Sequence, residues 1–68
     1  MTTSQLSRFN RNVDILFRYN RGDVAESIAQ IHGLKRLQVL RIVRNPSNKL
    51  RDAALDRQLA YERAMDAI

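Results

Sequence analysis

Ser27-Ile28-Ala29-Gln30-Ile31-His32-Gly33-Leu34-Lys35-Arg36-Leu37-Gln38-Val39-Leu40-Arg41-Ile42-Val43 is the stretch whose reading decides the fold. Two short helices that cross at about 90–120° need a tight turn between them, and Gly33 supplies it. Their backbones approach closely four residues earlier, where only a small side chain such as Ala29 fits. Ile28, Leu34, Val39 and Ile42 are spaced to form the miniature core that holds the angle. The pattern is that of a helix-turn-helix, with helices over about 24–32 and 35–44.

Working outward, the remaining sequence is helical as well. Leu6, Phe9, Val13, Leu16 and Phe17 recur as one apolar stripe, which predicts a first helix over about 5–19, started by Thr3 or Ser4. Asn20-Arg21-Gly22 reads as its end. Asp23 with Glu26 has the form of a capping box for the second helix, whose buried residues are expected to be Val24, Ile28 and Ile31. Asn45-Pro46 ends the third helix, because the residue before proline is pushed out of helical geometry. Ser47 opens a fourth helix over about 48–67. On it Leu50, Ala53, Ala54, Tyr61, Ala64, Met65 and Ile68 share one face, and Leu55 and Leu59 fall nearly opposite. The expected fold is therefore all-α, a small four-helix domain over 1–68. Its motif spans 24–44, and its C-terminal helix, 47–68, has a second apolar face available for dimerisation through Leu55 and Leu59.

Composition sets bounds on this reading. In 68 residues a single core supplies only about 3–5 kcal/mol, and such domains usually add disulfides, a metal or a second subunit. With no cysteine and a single histidine, neither a disulfide nor a zinc site is expected, which leaves a homodimer. No cofactor is expected either. No apolar run approaches the roughly 20 residues that span a bilayer, so no membrane partner is expected. Met1 to Gln5 lacks a basic region followed by an apolar stretch, and a cytoplasmic location is expected. Residues 1–46 hold eight Arg and Lys against three acids, whereas 47–68 hold four of each. The excess charge of +5 thus lies in the part that contains the motif, and a polyanion is the natural partner for it.

The residues from Arg21 to Asn45 resemble the DNA-binding end of the Mor/C family of phage middle-operon transcription activators. Ile28-Ala29, His32-Gly33-Leu34 and Gln38-Val39-x-Arg41-Ile42-Val43 carry the likeness. The resemblance implies a dimeric transcription regulator that reads the major groove of double-stranded DNA. Lys35 stands where a capping Ser or Thr is usual, and Leu40 where the Mor-like pattern favours Tyr.

The helix over 35–44 is expected to turn Val39, Ile42 and Val43 inward, and Arg36, Leu37, Leu40, Arg41 and Arg44 outward. Its N-terminal Lys35, Arg36 and Gln38 are the candidates for base edges, because Arg and Lys match guanine and Gln matches adenine. Arg21, Arg41 and Arg44 are the candidates for phosphates. Leu37 and Leu40 would either meet thymine methyl groups or anchor a protein partner. The alternative function is accordingly a small interaction module that docks on and modulates a host protein. His32 reads as a packing or hydrogen-bonding residue, and Tyr19 and Tyr61 as aromatics at the core edge. Asp52, Asp56, Glu62 and Asp66 interleave with bases as helix-surface ion pairs. With no nucleophile–base set and no phosphate-binding glycine loop, an enzyme is not expected.

Overall fold

The computed structural model describes residues 2–66. Among them are four helices and no strand: α1 Thr3–Asn20, α2 Ala25–His32, α3 Arg36–Arg44 and α4 Asn48–Asp66. The expected end of α4 at Ala67, and Ile68 on its inner face, lie outside the described residues.

Each boundary has a local cause. Thr2, not Thr3 or Ser4, caps α1: its Oγ1 accepts from the Gln5 N–H at 3.2 Å, and the Gln5 side chain accepts from the Thr2 N–H at 3.0 Å. At the other end Gly22 takes φ +102°, and the Asp23 N–H returns to the Arg18 carbonyl. Val24 occupies the cap position of α2 and forms no side-chain cap, so the capping box expected from Asp23 and Glu26 is not formed. Ser47 Oγ accepts from the Leu50 N–H at 3.2 Å and starts α4 after Pro46.

α1 runs through the middle of the domain and is buried on two sides. On one side Ile15 packs with Ala25, Ile28, Ala29 and Val39, joined by Leu34 and Leu40. On the other, Val13 and Leu16 pack with Leu50 and Ala54 of α4. Ile42 and Val43 of α3 touch both clusters and tie them together. The single stripe expected on α1 therefore omits Ile15, which is completely buried, and includes Leu6, which is half exposed.

α2 is rolled relative to the expected orientation. Ala25, Ile28 and Ala29 are buried, while Val24 and Ile31 are exposed. The two alanines let the α2 backbone approach α1 and α3 closely, and a turn of helix buried through small residues leaves the bulkier Ile31 outside.

Candidate nucleic-acid interface

The turn between α2 and α3 is built on Gly33, at φ +66° and ψ +32°. The Leu34 N–H donates to the Ala29 carbonyl at 2.8 Å, and the Gly33 N–H to the Gln30 carbonyl at 3.4 Å. This pair of bonds is a Schellman closure, with Leu34 and Ala29 also meeting in the core beneath it. Only the left-handed backbone at Gly33 lets both carbonyls be satisfied while the chain reverses. α3 then leaves the turn at once, with Lys35 as its cap residue.

Lysine offers no acceptor for an orphan helix N–H. A different donor is satisfied from one turn later: Gln38 Oε1 accepts from the Lys35 N–H at 2.9 Å. Gln38 is thereby half a capping box, and its carbonyl oxygen is occupied. A bidentate contact to adenine needs that oxygen as well as the amide N–H. In this arrangement the Gln38 side chain, exposed on α3, orients the N-terminus of the helix.

The outward face of α3 consists of Leu37, Gln38, Arg41 and Arg44, all exposed, with Lys35 and Arg36 exposed at its start. Val39 is fully buried and Ile42 and Val43 are half-buried, as the spacing predicts. Leu40 corrects the expected outward set: it packs against the core cluster around Ile28. Together with Arg36 it also walls a cleft of about 550 Å³ bounded by Tyr19, Val24 and Glu26. Leu37, 64% exposed, is left as the single large apolar side chain on that face.

Charge follows the same division. From Ser27 to Arg51 the chain has no acid and six bases, Lys35, Arg36, Arg41, Arg44, Lys49 and Arg51. The ion pairs found among the described residues all converge on Asp14, so Lys35, Arg36, Arg41 and Arg44 remain free of acidic partners there. Asp52, Asp56, Glu62 and Asp66, expected in surface ion pairs along α4, form none among the described residues.

Arg21 does not join the α3 group. Its guanidinium carbon sits 5.2 Å from the Phe17 ring centroid and 5.0 Å from that of Tyr61, on the α4 side of the molecule. Tyr61 in turn meets Phe17 edge to face at 5.8 Å. This cation–aromatic stack fastens the end of α1 to α4.

Sequence reading missed one site entirely. Asp14, in mid α1, is reached by Arg18 Nε at 2.8 Å, His32 Nε2 at 2.7 Å and Arg57 Nη2 at 3.0 Å. Burial pushes the Asp14 carboxyl up, and hydrogen bonds from Arg18 and His32 with the charges of Arg18 and Arg57 outweigh it, leaving the group below its ordinary value. The arrangement binds α1, α2 and α4 through one carboxylate. His32 is thus a hydrogen-bonding residue. Only the Asp14–Arg18 spacing, one helical turn, was visible in the sequence.

Among the described residues no group of three or more His, Asp or Glu is placed to hold a metal ion. Nor is any helix there long and apolar enough to cross a membrane. No protein-family model matches the chain, and no curated protein or solved structure matches it either.

Proposed function

We propose that the chain is a sequence-specific, DNA-binding transcriptional regulator of phage or plasmid type, which works as a homodimer in the cytoplasm. α3 lies in the major groove with its N-terminal end toward the bases. Lys35 and Arg36 reach guanine edges, Leu37 meets a thymine methyl group, and Arg41 and Arg44 hold phosphates. One observation carries the reading: α3 leaves a tight turn with a cationic, acid-free face that no other part of the described chain covers. The resemblance of residues 21–45 to the Mor/C activators points the same way.

A protein-docking role for α3 has the exposure of Leu37 in its favour. Arg41→Ala and Leu37→Ala separate the two readings when affinity for mixed-sequence duplexes is measured by fluorescence anisotropy. DNA reading predicts that Arg41→Ala weakens binding to all sequences, with the salt slope lowered by about 0.9 per subunit. It also predicts that Leu37→Ala relaxes sequence preference. Unchanged DNA affinity in Arg41→Ala would favour docking on a protein through Leu37.

A further inference from the structure

We infer that Arg44 and Arg51 are the two arms of one phosphate-binding clamp, placed where α3 ends and α4 begins. Arg44 is the last residue of α3 and Arg51 lies in the first turn of α4. Both line a groove of about 420 Å³ whose apolar lining is Leu16, Val43, Pro46 and Leu55. No acid lines it.

Two guanidinium groups thus share one groove without a counter-charge. Both residues are exposed, and neither side chain forms an ion pair or a hydrogen bond among the described residues. Asp52 follows Arg51 in the chain and does not pair with it, and Asp14 is taken by Arg18, His32 and Arg57. Like charges on one groove repel, and an anion bound between them turns that repulsion into two attractions. The apolar lining keeps water from one side of the charges, which strengthens the attraction. Asn20, also in the lining, adds a side-chain amide that is in no hydrogen bond among the described residues.

The geometry selects phosphate. Its oxygens point in several directions and can meet two forks that come from different helices, whereas a single fork matches both oxygens of a carboxylate. Two sources can supply the group, the backbone of duplex DNA or a free phosphate. The first rests on the DNA reading above. Arg41 and Arg44 share the outward face of α3, so a strand held there continues to the groove, and Arg51 takes the same phosphate as Arg44.

Two titrations of the full chain test this. In the first, inorganic phosphate replaces chloride at constant ionic strength and pH, and the arginine Nε–H signals are followed by NMR. Those of Arg44 and Arg51 are expected to shift together along one saturation curve, while that of Arg63, exposed at the far end of α4, stays in place. Arg51→Ala is expected to abolish the shift at Arg44. In the second, a mixed-sequence duplex is titrated by fluorescence anisotropy, and Arg51→Ala is expected to weaken binding about three- to fivefold per subunit, with Arg63→Ala as wild type. A shared phosphate curve with DNA affinity unchanged in Arg51→Ala, or with no DNA affinity in wild type, would keep the clamp and assign it to free phosphate. Signals of Arg44 and Arg51 that do not move, or that move independently, would overturn the clamp whatever the DNA titration shows. Wild-type affinity for the duplex would then still decide the DNA reading by itself.

Discussion

At Asp14 a carboxylate that is only 13% exposed accepts from side chains of three helices, so its removal strands Arg18, His32 and Arg57 together. Hydrogen bonds to charged groups contribute about 1.5–3 kcal/mol, less where solvent reaches the partner, as it does at Arg57. Asp14→Asn is expected to cost about 1–3 kcal/mol, or roughly 5–15 °C of melting temperature in a domain of this size. The pH dependence has a definite sign. Because the folded carboxyl titrates below its ordinary value of 3.8, its stabilisation is complete above that pH and is lost as pH falls through the folded value. Urea midpoints measured between pH 2 and 6 are expected to decline on acidification in the wild type and to decline less in Asp14→Asn; parallel curves would remove Asp14 from the account. Sequence periodicity has no access to such a site. Asp14 and His32 are 18 residues apart, and Arg57 comes from a third helix, so only tertiary packing brings them together.

Among elements, the α2–α3 unit is where local chemistry is most decisive. Gly33 has open space around the position of a Cβ, so Gly33→Ala meets no clash and costs only its left-handed backbone, about 1–2 kcal/mol by denaturant titration. A neutral result there would mean that the turn can re-form without the Schellman closure. Lys35→Ser is expected to stabilise α3 by about 0.5–1 kcal/mol, since a hydroxyl can accept from the Gln38 N–H where lysine cannot, completing the capping box of which the Gln38 side chain already forms half. The same variant loses a candidate base contact, so stability and DNA affinity should move in opposite directions. The positions of the turns were legible in the sequence because Gly22, Gly33 and Pro46 act locally. The rotation of helices about their own axes was not. Which of Val24, Ile28 and Ile31 is buried depends on α2 seating through Ala25 and Ala29, and whether Leu40 faces in or out depends on the crossing of α3 over α2.

For the molecule as a whole, the all-α four-helix architecture could be read from apolar spacing and breakers alone. What the sequence concealed is that α1 is central and buried on both sides, because one stripe of 3.6-residue period describes a helix with one buried face. The stacking of Arg21 on aromatic rings of α1 and α4 was likewise hidden, because Phe17 and Tyr61 are far apart in the chain. The basic surplus that remains exposed is concentrated on α3 and the start of α4, and the central claim is that it binds duplex DNA. Titration of a mixed-sequence duplex at a series of salt concentrations tests that claim most directly. If Arg41 and Arg44 hold phosphates, log K is expected to fall linearly with log salt at a slope of about −2 per bound subunit. No detectable affinity at 50 mM salt, or an affinity that does not change with salt, would contradict it.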